Sequence, residues 1–366
     1  MNNKPRREWS SPWREGELAS FVLILLSKQV VLKTIDKLMK MNQLKEITVK
    51  SQVNTLAPSA SFLKSTSEKF TPFFFSLFVA FIFISPISKG QDSEKQNSIF
   101  WRISGKELSS PSYLFGTFHL LNGNYLNKME KWKSEFEDSE VLIVEMVLDS
   151  NKIMDMVAEM ISPDTTLDKL LTKAEYDLLN AYFKEVSGSD LEKYNALKPI
   201  SLSVLLTTYT WAKLKPEDYI ANDLPMDLYF VKEAKAVVKE VIPLETMEQQ
   251  AALLYNGTSL IRQKELLMEM VNDREKTEES LLKMDKCYRD ENLDCLQEII
   301  FHNKSYSGDE IDKMLKDRNI EWMNTILPAI NVKKTFIAVG AGHLPGEFGL
   351  ISLLRKEGYS IEPIQF

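Results

Sequence analysis

Two short stretches at opposite ends of one acidic region repeat a single pattern: an apolar run, a glycine, two residues, a histidine, a leucine. They are Leu114-Phe115-Gly116-Thr117-Phe118-His119-Leu120 and Ala338-Val339-Gly340-Ala341-Gly342-His343-Leu344. The chain has only three histidines, so two in matched settings are a strong constraint. An apolar run that stops at glycine reads as a buried strand making a sharp turn. Beyond the C-terminal ends of such strands lies the crevice where open α/β sheets bind ligands. The pattern predicts two strand ends, remote in sequence, presenting imidazoles to one crevice.

The surrounding sequence supports an α/β (α+β) class. Strands are expected at 99–103, 113–115, 141–144, 241–244, 335–339 and 359–364, the first two forming a hairpin or neighbours. Pro243 marks its strand as an edge or a strand end. Helical spacing appears at 128–138, 152–161, 200–214, 225–239, 247–255, 260–285, 311–327 and 348–357. Thr172 is a candidate N-cap for a helix over 173–186. Together these give a central mixed sheet flanked by helices, with a large helical block inserted between the N- and C-terminal strand regions.

Two carboxylates share the strand-end setting of the histidines. Glu145 follows Val141-Leu142-Ile143-Val144, and Glu245 follows Val241-Ile242-Pro243-Leu244. An acid after so apolar a strand is costly to bury unpaired, so it calls for a cation, a metal or a functional proton; it can also cap the helix that follows. Imidazole and carboxylate together suit Zn²⁺, Mn²⁺ or Co²⁺. A divalent ion with an open position acidifies a water for attack on a carbonyl. Arg318, on an expected helix, is a candidate oxyanion stabiliser or a structural partner for a buried acid. His302 reads as a surface residue, and Trp101, Trp132, Trp211 and Trp322 as core.

Charge divides the chain. Residues 1–69 carry 12 Lys+Arg against 6 Asp+Glu, a net +6, which leaves −13 for the remainder of a chain of net −7. Nothing in that balance points to nucleic acid. Residues 1–69 are expected to be a poorly ordered basic extension or the product of a start assigned too early. The run from Pro72 to Ile87 is uncharged, preceded by Lys64 and Lys69 and followed by small and polar residues. Residues 70–91 therefore read as a signal peptide or a membrane anchor, with a buried helix as the bland alternative and membrane association expected through 70–88. Export to the periplasm, the medium or a membrane-anchored position follows. Cys287 and Cys295 are then either a local disulfide or two free thiols on one helical segment.

Five segments in order resemble the TraB/PrgY/GumN (Tiki-like) family over about residues 97–366. They are Tyr113 to His119, Val141 to Glu145, Met226-Asp227 through Gln250, Asp317-Arg318-Asn319, and Val339 through Gly346 with Gly349-Leu350 and Gly358-Tyr359. Leu224-Pro225 departs from the pattern, standing where a glycine often precedes the Met-Asp pair. The resemblance implies a fold shared with Tiki-type proteins and, in Tiki members, Mn²⁺- or Co²⁺-dependent proteolysis. By position it implies His119, His343 and Glu145 as metal ligands and Arg318 in the site. With the residue reading, it leads us to expect a metal-dependent hydrolase acting on a peptide or other carbonyl substrate outside the cytoplasm, with Glu145, Glu245 and Arg318 as catalytic groups. The alternative is a non-catalytic protein that binds a peptide or a metal complex.

Overall fold

The computed structural model describes residues 97–215, 224–303 and 305–366. The expected extension at 1–69 and the signal or anchor at 70–91 lie outside the described residues. The fold class is as expected: a mixed sheet with helices packed around it.

The chain enters through β1 (Phe100–Ser104) and turns back as β2 (Ser112–Thr117), an antiparallel hairpin. A helix α1 (Lys131–Asp138) leads to β3 (Val141–Val144). The helical block follows: α2 (Ile153–Glu159), α3 (Leu167–Leu170), α4 (Lys173–Ser187) and α5 (Pro199–Leu214). After α6 (Met226–Ala236) comes β4 (Glu240–Pro243), then α7 (Met247–Asn256), α8 (Leu260–Asn272), α9 (Arg274–Arg289), α10 (Leu293–Phe301) and α11 (Gly308–Ile311). A π-helical turn, Asp312–Lys316, joins α11 to α12 (Asp317–Val332). The chain closes with β5 (Thr335–Gly340), α13 (Leu350–Lys356) and β6 (Ser360–Ile364).

The strand order is β4-β3-β5-β2-β1-β6. β4, β3, β5 and β2 run parallel, so their C-terminal ends share one edge of the sheet. β2, β3 and β5 are buried at every residue. Strands covered on both faces read as unbroken apolar runs, which is why their sequences do not alternate. β4 is the edge strand on that side, only partly buried, with Pro243 at its end where no neighbour needs its missing N–H.

Two hydrophobic cores result. One surrounds the sheet and takes in Trp132, Phe230, Tyr288, Trp322 and Leu354. The other lies inside the helical block, around Phe183, Tyr194, Leu205, Tyr255 and Leu267. Local signals set several boundaries. Thr172 and Glu175 form a reciprocal capping box at the start of α4, and Thr246 and Gln249 form another at the start of α7. The helix expected over 260–285 is two helices, broken at Asp273, which ends α8 and precedes α9. Cys287 and Cys295 sit on separate helices, α9 and α10, because Glu291 takes a positive φ between them. They are joined as a disulfide.

The two histidine motifs pack against each other through a glycine. A Cβ on Gly116 would stand 3.0 Å from both Cα and Cβ of Ala341 and 3.1 Å from Cδ2 of Leu344. The Tyr288 hydroxyl donates to the Gly116 carbonyl at 2.7 Å and fixes the same strand end from the other side. Gly116→Val is expected to destabilise the fold by about 1–3 kcal/mol, the usual cost of forcing extra atoms into a packed interior. A urea melt of variant and wild type reads this directly; an unchanged midpoint would mean the two motifs are not in close contact.

Candidate functional site

At the edge where β2, β3, β4 and β5 end meet all five candidate metal-binding and catalytic residues: His119, Glu145, Glu245, Arg318 and His343. Val144 is level with Ala338 on one side and Pro243 on the other, and Thr117 is level with Gly340. The ladder runs on past the strands, with the Glu245 N–H donating to the Glu145 carbonyl at 2.8 Å. The two acids thus leave adjacent strands side by side, and the two histidines leave the next pair.

Arg318, from the first turn of α12, fills the space between the acids. Its Nη2 donates to Glu145 Oε2 at 2.8 Å and to Glu245 Oε2 at 3.0 Å, while Nε donates to Glu245 Oε1 at 2.7 Å. Nη1 reaches His343 Nε2 at 3.1 Å and the Met314 carbonyl at 3.1 Å. All three charged side chains are about nine-tenths buried, at 11%, 12% and 11% exposure for Arg318, Glu145 and Glu245. The guanidinium lies over the Trp322 ring at 4.7 Å, and the Trp322 indole N–H donates to Glu245 Oε1 at 3.0 Å. Both oxygens of Glu245 are therefore committed to Arg318 and Trp322.

His343 is held on three sides. Asn319 donates through Nδ2 to the His343 and Phe348 carbonyls, so its Oδ1 accepts from His343 Nδ1 at 2.7 Å. That bond fixes the tautomer and leaves Nε2 with its lone pair, turned toward Arg318. The ring lies against Trp322 with centroids 4.3 Å apart. Burial lowers its pKa to about 3; Glu145 pulls the other way, and Arg318 and His119 add to the lowering. His343 is neutral at physiological pH.

His119 is the open member, with its side chain 63% exposed. Its Nδ1 faces Asp227 Oδ1 at 3.4 Å, leaving Nε2 free. The surrounding protein opposes its charge, but the Asp227 carboxylate outweighs that, with help from Glu145, and raises it to about 9. Asp227 is there because the N-terminus of α6 docks on the loop after His119: Gly123 donates to the Leu224 carbonyl at 2.7 Å, and Met226 to the Leu121 carbonyl at 3.1 Å. The Leu224-Pro225 departure sits inside this docking contact.

Glu145 is the point where these groups meet. Burial alone would raise its carboxyl; His343, His119, Arg318 and the Gly340 N–H, which donates to Oε1 at 2.7 Å, outweigh it and hold the group at about 2. Gly340 makes the meeting possible. A Cβ there would lie 3.1 Å from Glu145 Oε1, 3.6 Å from His119 Nε2 and 3.7 Å from His343 Cδ2. Thr117 is level with Gly340 on the adjacent strand and so shares its face. Its buried hydroxyl has no hydrogen-bond partner among the described residues.

Two imidazoles and a carboxylate converging on a bare glycine beside an unpartnered hydroxyl fit a divalent ion in kind. The fit is incomplete in arrangement. Among the described residues no three His, Cys, Asp or Glu side chains form a ready metal cluster, and Arg318 occupies His343 Nε2.

The structure places His119, His343, Glu145, Glu245 and Arg318 in one site, and leaves His302 exposed. Sequence reasoning assigned no role to Asp227, Asn319 or Gln250, and took Trp322 as core alone. Asp227 and Asn319 stood inside quoted motifs; the signal missed was their adjacency to Met226 and Arg318. Trp322 lies one turn after Arg318, the spacing at which helical side chains meet.

The profile of the TraB/PrgY/gumN family matches residues 99–363. The chain belongs to the TraB/PrgY/gumN family. Among its relatives is a protein named metalloprotease TIKI homolog from Amphimedon queenslandica, 25% identical across 73% of this chain and 61% of the relative. Metalloprotease TIKI1 and TIKI2 from Xenopus tropicalis are 23% and 22% identical, across 72% and 76% of this chain and 61% and 62% of their own length. The chain thus spans about three-fifths of the length of these curated relatives.

Two outcomes follow from the geometry. Arg318→Met should cost about 3–5 kcal/mol of unfolding free energy, because it strands two buried carboxylates. Glu145→Gln in the Arg318→Met background should recover part of that loss; a simple addition of the two single effects would mean the bridge is not formed. The second outcome concerns acid. The unfolded chain takes up a proton on histidine near pH 6.5, whereas folded His343 resists it down to about 3. Stability therefore falls as pH drops from about 6.5 toward 3, by up to about 1.4 kcal/mol per unit for this one group. His343→Asn should flatten the slope of unfolding free energy between pH 6.5 and 4, and an unaltered slope would contradict a buried neutral imidazole.

Proposed function

We propose that this protein is a metal-dependent hydrolase of the metalloprotease type, acting on a peptide or similar carbonyl substrate outside the cytoplasm. The observation that carries the reading is the convergence of His119, Glu145 and His343 on Gly340 at the C-terminal edge of the sheet. The relatives' printed names add support from the family side. The disulfide between Cys287 and Cys295 suits an oxidising compartment. Among the described residues no helix is long and apolar enough to cross a membrane.

In this reading His119 Nε2, His343 Nε2 and Glu145 hold the ion, with Mn²⁺, Co²⁺ and Zn²⁺ as the candidates. When bound, the ion would polarise the substrate carbonyl and supply an activated water. The chain's own groups do the rest. Asp227 and Asn319 orient the two imidazoles through Nδ1, the outer hydrogen bonds that metal-binding histidines characteristically make. Arg318 Nη1 contacts His343 Nε2, the nitrogen that would hold the ion, and would have to release it. Its Nη1–H is then available to a carbonyl oxygen gaining negative charge. Glu245 and Trp322 keep the rest of the guanidinium in place during that change, so Glu245 acts by positioning Arg318.

The test is metal content of the full-length protein after equilibration with Mn²⁺, Co²⁺ or Zn²⁺, followed by mass spectrometry of a peptide pool. About one ion per chain is expected in the wild type and none in His119→Ala/His343→Ala. Gly340→Ala, whose methyl would enter the convergence point, should weaken the ion about tenfold to a hundredfold while remaining folded. Absence of ion binding in folded wild type would end the metallohydrolase reading. Ion binding with no hydrolysis of any peptide would favour a binding protein.

A further inference from the structure

A cavity of about 330 Å³ opens between the two cores, beside the site. Its walls include Leu253 and Leu254 of α7, Ile299 and Ile300 of α10, and Met314 and Leu315 of the π-helical turn. Three of these walls continue directly into the site. On α7, Gln250 reaches toward Glu145 Oε2 at 3.5 Å, and Leu253 and Leu254 follow three and four residues later on the same face. In the π-helical turn, the Met314 side chain lines the cavity while its carbonyl accepts from Arg318 Nη1 at 3.1 Å. Behind the second histidine motif, a Cβ on Gly342 would meet Ile300 Cδ1 at 3.1 Å and Leu315 Cδ2 at 3.9 Å. Gly342 immediately precedes His343, so cavity wall and site are one piece of structure.

We propose that this cavity is the subsite for one bulky aliphatic side chain of an extended peptide substrate. The proposal rests on the peptide reading of the site given above. From Gln250 to the leucines is about one helical turn, ~5.4 Å. An extended peptide advances ~3.3 Å per residue. The side chain accepted is therefore one to three residues from the bond held at Glu145 and Arg318. The lining chemistry selects the side chain. Isoleucine, leucine and methionine dominate it, and methionine adapts its shape to irregular aliphatic groups. Met314 is 36% exposed, and nearby Tyr306 and Phe301 are 41% and 38% exposed. Met314 and Tyr306 both line the cavity, so it meets solvent through partly exposed apolar side chains, as ligand pockets commonly do. A π-helical turn is uncommon and recurs at functional sites; here it supplies both the Met314 wall and the Arg318 contact.

The experiment uses the full-length protein and short fluorescein-labelled Gly/Ser peptides carrying one leucine, or one aspartate in its place, moved position by position. Binding is read by fluorescence anisotropy without added metal, and hydrolysis by mass spectrometry with Mn²⁺ or Co²⁺. At one position leucine should bind about tenfold or more tightly than aspartate, the usual worth of burying one aliphatic side chain. Met314→Glu at the rim and Ser280→Phe, which fills the cavity from α9, should each abolish that preference. Equal binding of leucine and aspartate peptides at every position, or a preference that survives both substitutions, overturns the subsite. A leucine preference in binding with no hydrolysis counts against the hydrolase reading and upholds the subsite. Hydrolysis without a leucine preference does the reverse.

Discussion

One buried guanidinium organises this site. Arg318 enters from α12 and binds two carboxylates that leave neighbouring parallel strands. Each ion alone would cost several kcal/mol to take out of water, and a single attractive pair often fails to recover that cost. Here the compensation comes from many directions at once. The fork geometry of the guanidinium meets Glu245 at both oxygens, the Trp322 indole serves Glu245, and the Gly340 N–H serves Glu145. The arrangement is also a clamp between α12 and the sheet edge. Removing its centre leaves two unpaired negative charges in an apolar interior, so the fold and the site share a single point of failure.

The position of the clamp follows from the two-core construction. The sheet core supplies β2, β3, β5 and α12; the helical block supplies α7, whose Thr246 cap starts the helix directly after Glu245. The site lies on the seam. Seams between cores are where side chains from distant elements can converge without filling the space completely, and both the imidazole cluster and the aliphatic cavity lie along this one. Two glycines control the approach. Gly116 lets the second histidine motif lie against the first strand end, and Gly340 leaves room for three polar side chains above the sheet. Larger residues at these positions would separate the groups that the topology has brought to one edge.

Much of this is legible in the sequence alone. β3 runs over the residues its apolar run marked, and Thr172 caps α4. The matched histidine motifs and the strand-end acids identified the edge, because burial on both faces writes an unbroken apolar run and an acid or a glycine then ends it. What was not legible depended on tertiary packing. Asp273 divides one amphipathic stretch into α8 and α9, although the apolar spacing carries through it. α12 continues past Pro328 to Val332, because Trp322, Ile326 and Ile330 bury one face against the sheet and that packing outweighs one lost backbone hydrogen bond. The π-helical turn before Arg318 has no composition of its own. Asp227 became a partner of His119 only through the docking of α6 on the loop at Gly123, a contact between segments with no shared period.

Charge balance gives the strongest reason to look for a cation here. Glu145, Arg318 and Glu245 together carry a net −1, and Asp227 stands next to His119, the imidazole of the site that opens to solvent. Such a site gathers positive charge. A proton on His119 is one way to meet that demand, and a divalent ion shared by His119, Glu145 and His343 is another; the two exclude each other, since a metal-binding imidazole must give up its proton. Arg318 takes part in the same competition, because its Nη1 holds the lone pair of His343 that an ion would need. In the proposed reading, loading the site would rearrange one hydrogen bond and one proton within a framework held by Glu245, Trp322 and Asn319. In that reading the movement of Arg318 toward a carbonyl would be coupled to the arrival of the ion, because the same nitrogen, Nη1, that now contacts His343 Nε2 would serve both.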